Sequence, residues 1–86
     1  MKNKGGYSSW LSDEAVAFTL SLSKSKRRKI IDFSDTIAAH PFSLGDFQST
    51  DEAGHIIENI LVDEFILSYW VDHAVKEVRI TEIIIP

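Results

Sequence analysis

The sequence predicts an α+β fold, in which an N-terminal two-helix hairpin packs on one face of a small antiparallel sheet of three or four strands. Two observations predict it. Apolar residues recur at helical spacing up to about residue 39, whereas from Gly45 onward they alternate and β-branched residues dominate. A pair of helices followed by a run of strands with short connections is typical of a helix layer covering one side of a sheet.

The composition is that of one domain, because the chain has 86 residues, of which 44% are hydrophobic and 26% charged. We expect residues 1–9, which are rich in glycine and serine, to be a flexible arm and residues 10–86 to form the domain. The absence of cysteine excludes a disulfide framework and a cysteine nucleophile. Because the sequence shows neither a secretory signal nor a membrane-spanning apolar run, we expect a cytoplasmic protein.

Two segments carry the helical pattern. The first should begin after Ser12, a good N-cap followed by acidic residues, and should run to about Leu22. The second should be capped by Ser23 or Ser25. It should end at about Ala39, because the residue before the next proline is pushed out of the helical region.

Four segments carry the strand pattern. The segment 65–71 has large apolar side chains at both alternating sets of positions, so we expect this strand to be central in the sheet. Short connections on either side of it predict an antiparallel meander. The predicted strands are residues 46–49, 55–62, 65–71 and 75–85.

Asp72 and His73 follow the predicted central strand and pose a question of chemistry. Asp is a common turn residue because its carboxylate accepts hydrogen bonds from nearby backbone N–H groups. Adjacent residues in extended chain point to opposite faces, so these two side chains would not converge on a third group. We therefore interpret the pair as a turn, and not as a general base with its orienting carboxylate.

His55 and His73 are nevertheless candidate acid–base groups, because imidazole titrates near neutral pH, and Arg79 is the candidate cation beside them. No ligand spacing supports a metal, so we expect neither a metal nor a cofactor. Residues 46–86 carry nine acidic residues and only two Lys/Arg. Because nucleic-acid binding needs cations on the binding surface, this balance argues against direct nucleic-acid binding.

The segment "KSKRRK" places five of the nine Lys/Arg within six residues at the start of the second helix. This is either a solvated helical turn or, because cations there oppose the helix dipole, a surface kept for a partner. The apolar "EIIIP" end could pair with another chain, including a second copy, if its strand lies at a sheet edge. The candidate partner-binding residues are Lys24, Lys26, Arg27, Arg28, Lys29, Trp70, Ile83 and Ile85.

The element order, together with "HPFSLGDF", "DEAGH" and "FILSYWVDHAVKEVRITEI", resembles the RelE/ParE superfamily of small toxins. These are the toxin components of bacterial type II toxin–antitoxin systems and are often described as plasmid stabilisation proteins. The resemblance spans about residues 10–83. It implies a RelE/ParE-like fold, a cognate antitoxin as partner, and DNA gyrase or the ribosome as target.

The sequence departs from the mRNA-cleaving branch of that superfamily. There, lysines and arginines on the sheet neutralise the RNA phosphate during cleavage. Here Ile57, Asn59 and Ile66 stand where the resemblance would place cations, the chain has no basic tail, and the usual strand before the first helix is not expected. The resemblance therefore favours a toxin, or a degenerate relative, that acts by protein binding. A ribosome-associated mRNA endoribonuclease with a non-standard site and a globular interaction protein without toxin activity remain alternatives.

Overall fold

A computed structural model describes residues 6–86, in which two helices cover one side of a five-stranded sheet. The predicted α+β class, with the helix pair on one face, is confirmed. The elements in chain order are β1 (Ser8–Leu11), α1 (Asp13–Leu20), α2 (Lys24–Ala39), β2 (Phe47–Thr50), β3 (Ile56–Val62), β4 (Phe65–Asp72) and β5 (Glu77–Ile84).

Both helices begin at the predicted serine caps. The Ser12 Oγ accepts a hydrogen bond from the Ala15 N–H at 3.1 Å, and the Ser23 Oγ accepts one from the Lys26 N–H at 3.4 Å. These contacts satisfy backbone donors that the first helical turn leaves without partners. The α2 helix ends at the predicted residue, and α1 ends at Leu20, two residues earlier than expected.

The sheet has the strand order β1-β5-β4-β3-β2, so β4 is central as predicted. The pairs β2–β3, β3–β4 and β4–β5 are antiparallel, and the predicted meander is confirmed. The predicted sheet was nevertheless incomplete. A fifth strand, β1, pairs in parallel with β5, which makes the sheet mixed. Because β1 precedes α1, the prediction that no strand comes before the first helix was wrong, and the helix pair is not N-terminal to the whole sheet.

The strand β1 lies beside the last strand of the chain. The Ser8 N–H donates to the Lys76 carbonyl at 3.1 Å, and the Ser12 N–H donates to the Ile80 carbonyl at 2.9 Å. Ser8 and Ser9, which we assigned to the arm, therefore belong to the sheet, whereas residues 1–5 lie outside the described part of the chain. The four residues of β1, SSWL, carry little local strand signal, and the strand with which they pair is at the other end of the sequence.

The core lies between the helices and the sheet, where Phe65 and Leu67 of β4 meet Ile30 of α2. Burial of such apolar side chains is the main favourable term in folding. A bulge in β5 pairs Ser68 with Glu82 but Tyr69 with Ile80, which leaves one extra residue on β5. The bulge returns Ile83 to the helix side of the sheet, where it joins the core.

Candidate functional site on the open face of the sheet

The face of the sheet that the helices do not cover, here called the open face, carries the most distinctive group of side chains. Strand alternation defines it, because Phe65, Leu67 and Tyr69 point into the core and the residues between them point the other way. Its residues are Ser8, Trp10, Phe47, Ser49, Ile57, Asn59, Leu61, Ile66, Ser68, Trp70, Asp72, Glu77, Arg79, Glu82 and Ile84.

A row of stacked groups crosses the open face from β1 to the start of β3. The Arg79 guanidinium carbon lies 4.8 Å from the ring centroid of Trp10 and 5.9 Å from that of Trp70. The His55 ring stacks on Trp70 with centroids 3.9 Å apart and planes 9° apart. Cation–π contacts of this kind are worth about 0.5–1 kcal/mol at exposed sites. The stacked row of Trp10, Arg79, Trp70 and His55 therefore helps to fix the strands relative to one another.

Carboxylates hold both ionisable members of the stacked row. The His55 Nδ1 lies 2.8 Å from the Asp51 Oδ2, and the His55 backbone N–H donates to the other oxygen of that carboxylate at 2.8 Å. The hydrogen bond with the His55 side chain lowers the pKa of Asp51 below its ordinary value. The Arg79 Nη2 donates to the Glu77 Oε1 at 2.7 Å, so its charge is compensated within the same strand.

Two buried polar residues form the floor of the open face. The Ser68 hydroxyl donates to the Asn59 Oδ1 at 2.7 Å, and the Asn59 amide nitrogen donates to the Ser49 Oγ at 3.1 Å and to the Phe47 carbonyl at 3.3 Å. Asn59 therefore ties β2, β3 and β4 together. A position where the resemblance would place a cation is occupied by an amide whose hydrogen bonds stay within the sheet.

The open face is acidic. Among residues 6–86, Arg79 is the one Lys or Arg on it, whereas Asp72, Glu77 and Glu82 supply three carboxylates. Asp51 adds a fourth at the His55 end of the stacked row. Because binding to RNA phosphate requires a surplus of cations, this face is poorly suited to holding a polynucleotide.

His73 lies apart from the stacked row, in the turn that joins β4 to β5. Its Nδ1 is 2.7 Å from the Tyr7 hydroxyl, and its ring stacks on Phe42 with centroids 4.9 Å apart. His73 and His55 both border a cleft of about 430 Å³ at this end of the sheet. Each imidazole is held by its own partners, so the structure does not bring the two into one catalytic pair.

The interpretation of Asp72 and His73 as a turn is confirmed. The Asp72 Oδ1 accepts the backbone N–H of Ala74 at 3.1 Å and that of Val75 at 3.4 Å. This is the bonding pattern through which Asp stabilises turns. The carboxylate is therefore directed at its own backbone, and it does not orient the neighbouring imidazole.

The structure divides the basic cluster at the start of α2. Lys26 contacts Glu64 at 2.9 Å and Lys29 contacts Asp63 at 3.1 Å, so these two lysines attach α2 to the β3–β4 turn. Among residues 6–86, the remaining cations of the cluster make one ion pair, an exposed contact of Arg28 with Asp32 at 3.3 Å within the helix. Lys24 and Arg27 make no ion pair with any other described residue.

The other candidate partner-binding residues lie in three environments. Ile83 is buried in the core, with 4% of its surface exposed, whereas Ile85 is 53% exposed beyond the end of β5. Trp70 is half-buried in the stacked row. The first four residues of β5, from Glu77 to Ile80, pair with β1 and are therefore not at the sheet edge. The expectation that the C-terminal strand pairs with another chain required an edge strand, and only the second half of β5 still offers one.

Sequence reasoning missed three residues that complete these arrangements: Trp10, Tyr7 and Phe42. Trp10 lies in β1 and Tyr7 directly precedes it, and the sequence carries little local signal for this strand. Asp51, four residues before His55, was a visible candidate partner, but only the turn between β2 and β3 brings the two side chains together. Within the described part of the chain, no three His, Asp or Glu residues cluster as a metal site, and neither helix could span a membrane.

Comparison with known proteins adds information on the fold. No family model matches the sequence, and no curated protein matches it. A solved structure that is similar is the crystal structure of an archaeal RelE–RelB complex from Pyrococcus horikoshii OT3. The similarity has a TM-score of 0.72 and covers 90% of this chain and 91% of that chain, at 16% sequence identity. With two helices on one face of a five-stranded mixed sheet, this chain has a RelE-like fold.

Proposed function

We propose that this chain is the toxin component, or a degenerate relative of one, of a type II toxin–antitoxin system. In this proposal it acts in the cytoplasm by binding another protein and is neutralised by a cognate antitoxin. The observation that carries the proposal is an acidic open face on a RelE-like fold. The structurally similar chain comes from a complex of RelE with RelB, which supports an antitoxin as the partner.

The charge of the open face favours binding over RNA cleavage. Transfer of a phosphoryl group requires preorganised cations or other donors at the position where negative charge develops. The guanidinium of Arg79 already contacts Glu77 and lies near the Trp10 and Trp70 rings. A target that is recognised without cleavage, such as DNA gyrase in the superfamily, is therefore the better candidate.

Growth after induced expression tests the proposal. Expression of this chain in a bacterial host should arrest growth, and co-expression of the neighbouring gene should relieve the arrest and yield a stable complex on purification. Normal growth together with a partnerless protein would contradict it. If growth stops, a supercoiling assay with purified gyrase and a translation assay with purified ribosomes identify the target.

A second candidate function is RNA cleavage by a non-standard site on the ribosome. The specific observation in its favour is that His55 and Arg79 both lie against Trp70, while Asp51 holds the imidazole of His55. An Asp–His pair of this kind can perform general acid–base catalysis near neutral pH.

The test of this second candidate is cleavage of ribosome-bound mRNA by the purified protein. Cleavage should be lost in His55→Ala and retained in His40→Ala, because His40 is an exposed residue at the end of α2 whose ring contacts the Thr36 carbonyl. Absence of cleavage by the unsubstituted protein would exclude the candidate, as would equal cleavage by the two variants.

A further inference from the structure

A groove of about 820 Å³ lies on the surface of the helix pair, and all of its described lining residues belong to the helices. Its α2 wall includes Ser25 and four residues whose spacing of i, i+3, i+4 and i+7 places them on one side of the helix: Lys24, Arg27, Arg28 and Ile31. Its α1 wall includes Leu20. The groove is therefore a property of the helix pair and lies apart from the open face.

The groove contains aliphatic surface that is exposed to solvent. Leu20 is 64% exposed and Ile31 is 46% exposed, and Val16, one turn before Leu20 on α1, is 41% exposed. Contiguous apolar surface bordered by polar residues is typical of a protein interaction site. No aromatic residue of the described part of the chain lines the groove, so these residues offer no platform on which nucleic-acid bases could stack.

All charged residues of the groove are cations. Of the described residues, Lys24, Arg27 and Arg28 line it and no carboxylate does, whereas Lys26 and Lys29 on the same helix contact the acidic β3–β4 turn instead. The Arg27 Nε is shielded from solvent and has no hydrogen-bond acceptor among residues 6–86. A buried donor of this kind is normally paired, and a carboxylate is its strongest partner.

We infer that this groove docks an acidic amphipathic segment of a partner protein. Aliphatic side chains of the segment contact Leu20 and Ile31, and its carboxylates contact Lys24, Arg27 and Arg28. From Lys24 to Ile31 the groove spans roughly 10 Å of helix axis, which suits a short helix of about two or three turns. The inference deepens the proposed function and rests on it for the identity of the partner, an antitoxin.

A binding experiment with designed peptides tests the chemistry of the groove directly. The probe is a labelled helical peptide with leucines at i, i+3 and i+7 and glutamates beside them, and its control carries lysine in place of every glutamate. The purified chain should bind the acidic peptide, with an affinity that falls as salt is raised, and should bind the basic peptide at least about tenfold more weakly. Equal binding of the two peptides would overturn the inference.

Matched variants locate the bound peptide. Arg27→Gln and Leu20→Gln should each weaken binding of the acidic peptide by about tenfold. Lys29→Gln and Leu61→Gln are the controls, because Lys29 lies on the same helix outside the groove and Leu61 is an aliphatic residue, 55% exposed, on the open face. Both controls should bind as the unsubstituted chain does. Equal weakening by the controls would overturn the inference.

The same variants, with the product of the neighbouring gene, separate this inference from the proposed function. If the neighbour binds the unsubstituted chain and both groove variants equally, the proposed function stands and the groove assignment fails. If the neighbour does not bind but the acidic peptide binds at the groove, the groove assignment stands and the antitoxin is not its occupant. Self-association of the chain that Arg27→Gln abolishes would assign the groove to a second copy and overturn the inference.

Discussion

Asn59 and Arg79 illustrate, at the level of single residues, how the open face differs from a surface built for RNA. Asn59 stands where the resemblance to the toxin superfamily would place a cation, and its amide instead bonds to neighbouring strands. Arg79 is a cation, but its guanidinium forms an ion pair with Glu77 in the same strand. Both residues bond within the chain, which favours a structural role for this part of the sheet.

Gly45 provides a residue-level prediction about packing. A Cβ at this position would lie 2.6 Å from the Asn59 carbonyl oxygen, so the chain must shift in Gly45→Ala. We expect Gly45→Ala to lower the free energy of unfolding by about 1–3 kcal/mol in urea denaturation.

Gly54→Ala is a useful comparison for Gly45→Ala. It has open space around the added Cβ but a φ of +86°, so its cost of about 1–2 kcal/mol is conformational. A Gly45→Ala protein as stable as the unsubstituted one would contradict the close approach of the β3 backbone at this glycine.

Tyr69 provides a residue-level prediction about pH. Burial of its phenol, assisted by the negative charges of Glu58 and Asp46, raises the pKa of Tyr69 above the ordinary 10.0. Its neutral form is therefore favoured in the folded state. The corresponding stability is fully present below about pH 10 and is lost as the pH rises toward the folded-state pKa.

We expect the urea-unfolding free energy to fall above about pH 10, and we expect Tyr69→Phe to remove part of that fall. Tyr7→Phe, which removes the other tyrosine of the chain, is the control and should leave the Tyr69 contribution to the alkaline fall in place. Identical alkaline profiles for Tyr69→Phe and the unsubstituted protein would exclude Tyr69 as the titrating group.

At the scale of elements, α1 is fixed to the sheet by the residue that begins it. The Ser12 Oγ accepts the Ala15 N–H and donates to the Thr81 carbonyl at 2.9 Å, while the Ser12 N–H donates to the Ile80 carbonyl. One residue therefore caps α1 and holds it beside the bulge in β5. The cap of α2, Ser23, is exposed, and among residues 6–86 it makes no hydrogen bond to the sheet.

This difference predicts unequal costs for two matched substitutions. Ser12→Ala should lower the unfolding free energy by about 1–2 kcal/mol, because it removes a cap and a hydrogen bond to the sheet. Ser23→Ala should cost about 0.5–1 kcal/mol, because it removes an exposed cap alone. Thermal and urea denaturation of both variants measure the difference. A larger loss in Ser23→Ala would show that the Thr81 contact contributes nothing.

For the whole molecule, the fold separates the charges that the sequence carries in its two halves. Five cations lie on the first turns of α2, whereas nine of the thirteen Asp and Glu lie in residues 46–86, which contain β2 to β5 and their connecting turns. Two lysines of α2 bridge to the β3–β4 turn, which leaves three cations on the groove. The molecule therefore presents a basic helix surface and an acidic sheet surface, and the proposed partner segment belongs on the basic one.

The molecule has one core, between the helices and the sheet. The cost of truncating a side chain should therefore depend strongly on whether the side chain lies on the helix side of the sheet or on the open face. Leu67 is fully buried at the centre of β4. We expect Leu67→Ala to lower the unfolding free energy by about 2–5 kcal/mol, because the sheet cannot collapse around the cavity. Leu61→Ala on the open face should cost less than about 1 kcal/mol. Comparable losses in the two variants would contradict a core confined to the helix side.

Local patterns in the sequence determined the helices, their serine caps, the antiparallel meander and the Asp72 turn, because each depends on residues within a few positions of one another. Tertiary structure alone decided the rest. The strand β1 pairs with β5 across nearly the whole chain, and the stacked row joins residues from four strands or their ends. The division of the basic cluster likewise depends on where the β3–β4 turn meets α2. Contacts between distant segments form only when the core packs, so no local pattern encodes them.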